Sequence, residues 1–320
     1  MNQQEPTIDD IRRARERIAS TVRRTPLERS RWLSAESGRD VFLKLECFQL
    51  TGSFKIRGAM AKLSSLTDAE RMRGVLTVSA GNHGLAVAHC AEALGLDATI
   101  VVPESASRAK VASIRRYPVR LIERGASYDD AERAARDMER EGEVTFVSPY
   151  NDREVIAGQG TIGLEILEDL PGIDVVVVPV GGGGLLAGIA IAVKSNQRRV
   201  EVAGVEVEAS TPFRRSLAAG RIVAVEVHPT LADGLAGNLD PETITFEYVQ
   251  RLVDRMSVVS EPQLQQAIVG LLREERIIAE GAGATAVAAV LGSALETRGR
   301  RIAVVISGAN IDIDKLMSLI

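Results

Sequence analysis

Residues 174–193 read DVVVVPVGGGGLLAGIAIAV, and this stretch decides the fold that the sequence predicts. The valine run 175–178 is typical of a parallel strand buried on both faces. Residues 185–194 are apolar and long enough for a helix, and only a short glycine loop separates them from the strand. A strand, a loop and a helix in this order predict one βα unit of an α/β protein.

The glycine loop is the most specific local signal in the sequence. Consecutive glycines cost backbone entropy, so a simple connector is a weaker explanation than a functional loop. Backbone N–H groups at a helix start can close on phosphate oxygens where no side chain intervenes. The predicted phosphate loop comprises Gly181, Gly182, Gly183, Gly184 and Leu185.

A dinucleotide-binding loop is the alternative reading of the same residues. Gly182, Gly184 and Ala187 fit the pattern G-x-G-x-x-A, and Glu206 closes the next strand 22 residues after Gly184. An acid at this spacing can bind a ribose, as in NAD-dependent dehydrogenases. This alternative gives no role to Lys55, which lies in a separate turn at residues 51–59.

The same alternation of strands and helices extends along the chain. Strands are predicted at 41–46, 75–78, 98–102, 119–123, 175–178, 200–207 and 302–306. Helices are predicted at 85–94, 129–141, 163–170, 185–194 and 262–274. The pattern predicts mostly parallel sheets in two α/β lobes, with a crossing at the turn-rich residues 148–152.

Composition narrows the classes of function. The net charge of −4 argues against nucleic acid as a partner, and no apolar stretch is long enough to span a membrane. The two cysteines have no metal-ligand spacing, and residues 1–10 lack the features of a secretory signal. We therefore expect no metal site and a cytoplasmic protein.

Lys55 lies in a second strand-end turn, 51–59, with the sequence TGSFKIRGA. The predicted helix begins at this turn and reaches about residue 66. A cation in the first turn opposes the helix dipole, so covalent use of the amine would explain its position. A surface lysine that extends to solvent is the alternative.

Two more turns follow predicted strands. Residues 79–84, SAGNHG, offer backbone N–H groups that could bind a substrate carboxylate, or Ser79 and Asn82 could cap the next helix. Residues 307–312, SGANID, place Ser307 where its hydroxyl could meet a ring nitrogen or cap the final helix.

Taken in order, the four turns resemble motifs of the fold-type II pyridoxal-phosphate enzymes, in the branch of serine/threonine dehydratases (threonine ammonia-lyases) and serine racemases. The resemblance implies a tryptophan-synthase-β-like α/β fold, with residues 1–66 and 151–320 in a large cofactor domain and 67–150 in a small mobile domain. It also implies a homodimer. The expected reaction is elimination from L-threonine or L-serine, giving a 2-keto acid and ammonia.

The resemblance also assigns roles to individual residues. Lys55 would hold pyridoxal 5'-phosphate as an imine and act as the general base. Phe54 would pack beside the cofactor ring, and Ser307 would face the ring nitrogen. A neutral hydroxyl there favours β-elimination over fuller carbanion chemistry. Asn82 would bind the ring 3-oxygen, and the substrate carboxylate would lie among Ser79, Ala80, Asn82 and His83.

Several departures from the family refine these expectations. Racemases of the family have a second serine at the position of Ala80, so a dehydratase is expected before a serine racemase. Pro212 stands where the racemase pattern has an aspartate, which argues against a cation site at Glu206. Hydroxyaspartate remains an alternative substrate, because the residues 233–238 that could line its pocket do not identify the β-substituent.

Overall fold

The computed structural model of the chain describes residues 6–126, 128–141, 144–292, 294–295, 297 and 299–320. These residues form two sheets. The strands are β1 Leu27–Arg29, β2 Asp40–Lys44, β3 Val75–Val78, β4 Ala98–Val102, β5 Arg120–Glu123, β6 Thr145–Phe146, β7 Val175–Pro179, β8 Glu201–Val207, β9 Arg255–Val259 and β10 Arg301–Val305. The six-stranded sheet has the order β1-β2-β10-β7-β8-β9, and the four-stranded sheet has the order β5-β4-β3-β6.

Helices cover the sheets. They are α1 Ile8–Ile18, α2 Arg31–Ser37, α3 Lys55–Ser64, α4 Asp68–Arg73, α5 Asn82–Leu94, α6 Arg108–Ile114, α7 Tyr128–Arg140, α8 Arg153–Asp169, α9 Gly184–Asn196, α10 Pro212–Ala219, α11 Thr245–Leu252, α12 Glu261–Gly270, α13 Gly281–Leu291 and α14 Ile313–Met317. Two 3-10 helices, Glu46–Phe48 and Asp233–Leu235, and one π-helix, Leu271–Glu275, complete the described elements. No described helix is long and apolar enough to cross a membrane.

The predicted α/β class with mostly parallel sheets is confirmed. Every described strand pair is parallel except β1 with β2. The strands β3, β4 and β7 are buried along their whole length, as their Val- and Ile-rich sequences require. Strands β3 and β4 begin and end at the predicted residues, whereas β1, β9 and α13 were not predicted. The prediction that residues 1–10 lack a secretory signal falls partly on residues 1–5, which lie outside the described residues.

The glycines of α8 allow three helices to pack closely. A Cβ atom on Gly158 would lie 2.5 Å from the carbonyl oxygen of Arg57 in α3, and one on Gly188 of α9 would lie 2.6 Å from the backbone nitrogen of Gly160. Any side chain at these positions would push the helices apart. Helix α8 therefore packs closely against both α3, which begins at Lys55, and α9, which begins at Gly184.

A buried network of charges joins α3 to its surroundings. Arg57 donates to Glu46 over 2.8 Å and to Glu165 over 2.7 Å, and the Nζ atom of Lys44 donates to Glu165 over 2.5 Å. All four side chains are at most 7% exposed. Buried charges are rare unless they are paired, and here two cations balance two carboxylates.

We expect Arg57→Leu to destabilise the protein strongly, because Lys44 would then be the one remaining cation of the network to balance the two buried carboxylates, Glu46 and Glu165. Breaking such a network costs about 3–5 kcal/mol. Urea unfolding at neutral pH measures this change. Arg12→Leu is the matched control, since Arg12 pairs with Asp9 on the surface, and its effect should stay within about 0.5 kcal/mol. Equal unfolding midpoints for the two variants would contradict this account.

Candidate active site

One cavity of about 1210 Å³ receives all four of the turns singled out in the sequence. It is lined by residues that follow β3, β7 and β10 and by the start of α3. In parallel sheets, ligands bind at the carboxyl ends of the strands, which is where this cavity lies. The predicted site residues on its wall are Phe54, Lys55, Ser79, Ala80, Asn82, His83, Gly181, Gly182, Gly183, Gly184, Leu185 and Ser307.

Lys55 begins α3, as predicted, and its amine points into the cavity wall. Its Nζ atom donates a hydrogen bond to the carbonyl oxygen of Pro149 over 2.9 Å and lies 5.1 Å from the ring centroid of Phe54. Burial lowers the pKa of Lys55 from 10.5 to about 8, although the negative charge of Glu280 opposes the shift. Because only a neutral amine is a nucleophile or a base, this lysine is prepared for chemistry near neutral pH.

The glycine loop lines the cavity at the start of the 13-residue helix α9. Within the described residues, the N–H groups of residues 181–185 have no hydrogen-bond acceptor. Free donors at a helix N-terminus, where the dipole also favours negative charge, form an anion site.

Aromatic rings from other parts of the chain occupy the space that a side chain in place of Gly182 or Gly183 would need. A Cβ atom on Gly182 would lie 2.3 Å from the ring of Tyr150, and one on Gly183 would lie 2.4 Å from the ring of Phe213. Gly183 also has a φ of +85°, which other residues rarely adopt. The Oγ1 atom of Thr245 donates to the carbonyl oxygen of Gly182 over 2.8 Å and fixes the loop. Tyr150, Phe213 and Thr245 were missed in the sequence, because their contacts arise only from tertiary packing.

The loop 79–84 forms a second start of a helix at the cavity. The backbone N–H of Gly81 donates to the Ser79 hydroxyl over 3.1 Å, and a Cβ atom on Gly84 would lie 2.1 Å from the carbonyl oxygen of Ser79. In the described structure, the N–H groups of residues 82–84 at the start of α5 also have no acceptor. They could receive a carboxylate.

His83 differs from the other residues of this loop because it is only 3% exposed. Its Nε2 atom lies 3.1 Å from the carbonyl oxygen of Val147, which identifies Nε2 as the protonated nitrogen. Burial, followed by the charge of Lys55, lowers the pKa of His83 to about 3. A neutral imidazole therefore braces the segment that leads to Pro149, the acceptor for Lys55.

Asn82 is held by two residues whose roles were not predicted from the sequence. Its Nδ2 atom donates to Glu280 over 2.5 Å, and its Oδ1 atom accepts from Asn310 over 2.6 Å. Burial raises the pKa of Glu280 to about 7, against the opposing effect of the Asn82 hydrogen bond. The available signal was a single acid before the apolar helix α13, which by itself is not specific.

Ser307 lies directly after β10 and is 3% exposed. Its hydroxyl makes a long contact of 3.4 Å with the carbonyl oxygen of Ala282, and its own carbonyl accepts from the backbone N–H of Phe54 over 3.0 Å. The final helix is capped by Asp312 instead, which removes the alternative role for Ser307.

Glu206 is fully buried and caps α10. Its two carboxylate oxygens accept from the backbone N–H groups of Phe213 over 2.8 Å and Arg214 over 2.9 Å. Burial raises the pKa of Glu206 to about 7, and these two bonds oppose the rise. Glu206 is not among the residues that line the cavity, which argues against the dinucleotide reading. No group of three or more metal-ligating side chains occurs among the described residues.

Comparison with known proteins gives a family match and close relatives. A family model described as pyridoxal-phosphate dependent enzyme matches residues 18–308. The L-threonine ammonia-lyase of Thermotoga maritima is 46% identical over 314 residues, which cover 98% of this chain and 78% of that protein. The catabolic L-threonine dehydratase TdcB of Escherichia coli is 42% identical over 315 residues, which cover 98% and 95%. Among solved structures, maize serine racemase has a TM-score of 0.93 at 35% identity, with 98% of this chain and 96% of that chain covered.

The lowered pKa of Lys55 predicts how its reactivity depends on pH. In the folded protein without cofactor, labelling of Lys55 by fluorodinitrobenzene should rise with pH through a midpoint near 8, because the neutral amine is the reactive form. Peptide mass spectrometry of protein labelled at a series of pH values measures this midpoint.

The same protein unfolded in urea is the control, where the midpoint should return to the ordinary value of 10.5. A midpoint above about pH 10 in the folded protein would show that burial does not activate this amine.

Proposed function

The chain belongs to the family of pyridoxal-phosphate dependent enzymes, and we propose that it removes water and ammonia from a small L-hydroxy-amino acid. L-threonine and L-serine are the proposed substrates, and the product is a 2-keto acid. The observation that carries the proposal is the convergence of a deprotonable lysine, a cradle of free N–H groups and a buried serine hydroxyl on one cavity. The relatives that bear the names threonine ammonia-lyase and threonine dehydratase support the choice of substrate.

The residues of the cavity fit pyridoxal phosphate. The unpaired N–H groups of Gly181, Gly182, Gly183, Gly184 and Leu185 can hold a phosphate. Lys55 offers an amine for covalent attachment, and Phe54 offers an apolar face beside it. Asn82 offers a donor for the ring oxygen, and the Ser307 hydroxyl suits an unprotonated ring nitrogen. When bound, pyridoxal phosphate withdraws electrons from the α-carbon of an attached amino acid.

The chain itself supplies binding and proton transfer. The free N–H groups of residues 82–84, with Ser79, bind the substrate carboxylate and orient the α-carbon. The Nζ atom of Lys55 takes the α-proton, and its lowered pKa makes the neutral base available near neutral pH. The β-hydroxyl then takes up a proton and leaves as water, which balances the proton removed from the α-carbon and leaves Lys55 neutral again. The released enamine is hydrolysed by one water to the keto acid and ammonia.

A serine racemase is the second candidate, since maize serine racemase has a closely similar structure. Racemisation requires a proton carrier on each face of the α-carbon. Ala80 lines the cavity where the family's racemases have a serine, and it has no hydroxyl to serve as one. This residue favours elimination.

We also propose the wider organisation that the family suggests. Residues 1–66 and 151–320 would form the large domain and 67–150 the small mobile one, a division supported by the separate four-stranded sheet. Lys110 and Asp233 form an ion pair over 2.5 Å between these proposed domains at the edge of the cavity. The enzyme would act as a cytoplasmic homodimer on a free amino acid, without nucleic acid, membrane or metal.

Lys55→Ala should abolish both the visible absorbance of the cofactor imine and the release of keto acid from L-threonine. Lys62→Ala is the matched control, because Lys62 lies on the same helix and pairs with Asp152. This control should keep both signals. Spectra and keto-acid assays of the two purified variants test the assignment, which fails if Lys55→Ala retains both signals.

Chiral chromatography of L-serine after prolonged incubation should detect keto acid but no D-serine. Introducing a hydroxyl with Ala80→Ser should allow some D-serine to form, because the second face of the α-carbon gains a proton carrier. Substantial D-serine from the unaltered enzyme would favour the racemase.

A further inference from the structure

We propose that Glu280 and Asn310 are positioning residues that hold the Asn82 amide in one orientation, with an N–H available to the cofactor. This inference rests on the proposed function, in which Asn82 binds the ring oxygen. It adds two residues from distant parts of the chain, 198 and 228 positions from Asn82.

The hydrogen bonds of Asn82 are compatible with one orientation of its amide. Its Oδ1 atom faces the NH₂ group of Asn310, and its Nδ2 atom faces the carboxyl of Glu280. A rotation by half a turn would exchange the two atoms and bring oxygen to carboxylate and NH₂ to NH₂. Both hydrogen bonds would then be lost and two like partners would meet, which costs free energy.

Asn310 is itself fixed by the backbone. Its Nδ2 atom donates to the carbonyl oxygen of Thr51 over 2.9 Å as well as to Asn82. A carbonyl can only accept, so Asn310 must present its NH₂ group on this side. The carbonyl oxygen of Thr51, in the lysine turn, therefore fixes the orientation of the Asn310 amide, and Asn310 in turn fixes the orientation of the Asn82 amide.

Glu280 is confined on the other side. It is 8% exposed, and its backbone N–H donates to the carbonyl oxygen of Gly308 over 3.1 Å. A Cβ atom on Gly308 would lie 2.1 Å from the Oε1 atom that accepts from Asn82, so the glycine leaves room for this carboxyl. The Asn310 bond would keep the same amide orientation even if Glu280 took up a proton.

The consequence is a donor whose direction is set before any ligand binds. One hydrogen of Asn82 Nδ2 is used by Glu280, and the second has no acceptor in the described part of the chain. Asn82 lines the cavity, so this hydrogen is available there. A preorganised donor binds more tightly than one that must first be ordered.

Cofactor affinity tests the inference without relying on turnover. The full chain of each variant is freed of cofactor and then equilibrated with a series of pyridoxal phosphate concentrations, and bound cofactor is read from visible absorbance. Glu280→Ala and Asn310→Leu should each weaken binding about tenfold, the value of one well-formed hydrogen bond. Glu280→Gln keeps an acceptor for Asn82 and should stay within about threefold. Far-ultraviolet circular dichroism checks that each variant is folded.

Combination with Asn82→Ala separates positioning from a general structural effect. If Glu280 acts through Asn82, Glu280→Ala should cause no further loss of affinity in the Asn82→Ala protein. An equal loss in both backgrounds, or no loss in either, overturns the inference. If Glu280→Ala does not fold, Asn310→Leu in the same two backgrounds decides the question.

The design also distinguishes the inference from the proposed function on which it rests. If Asn82→Ala binds cofactor as well as the unaltered enzyme, the role of Asn82 itself is wrong, and the inference falls with it. If Asn82→Ala weakens binding while Glu280→Ala and Asn310→Leu do not, only the inference is overturned.

Discussion

The buried charges around Arg57 are the constraint on which the position of the reactive lysine depends. Arg57 lies two residues after Lys55, in the same first turn of α3, and its guanidinium joins Glu46 to Glu165 of α8. Removing these charges from water is costly, so the network is stable only when its geometry is satisfied in full. Such a network favours one placement of α3 relative to α8.

The lysine turn is also fixed from the side of the six-stranded sheet. The backbone N–H of Phe54 donates to the carbonyl oxygen of Ser307, and Ser53 forms a β-bridge with Gly308. These bonds connect the lysine turn to the turn after β10 through the backbone alone. The buried charges hold α3 in place and the β-bridge orients its first turn, so Lys55 is presented to the cavity with little freedom.

How far the sequence predicted this site follows from the range of the interactions. The four turns could be recognised because each depends on local features, such as a strand end, glycines or a helix start. Glu280 and Asn310 could not, because their roles depend on contacts with Asn82, which is 198 and 228 positions away in the chain. The glycine loop shows both cases. Its N–H groups were predicted to bind phosphate from the local pattern. That a side chain at Gly182 or Gly183 would clash with an aromatic ring was visible only in the fold.

The structure also refines the expected role of Lys55 as the general base. Glu280 lines the same cavity. Burial lowers the pKa of Lys55 to about 8 and raises the pKa of Glu280 to about 7, so the two pKa values lie close together. The lysine is therefore neutral in an appreciable fraction of molecules near neutral pH, as a base for the α-proton must be. The contact of Glu280, however, is with Asn82 and not with Lys55. Its negative charge opposes the fall in the pKa of Lys55, so the carboxyl tunes the base while it holds the amide. One buried acid thus links the electrostatics of Lys55 to the geometry of Asn82 in the proposed cofactor site.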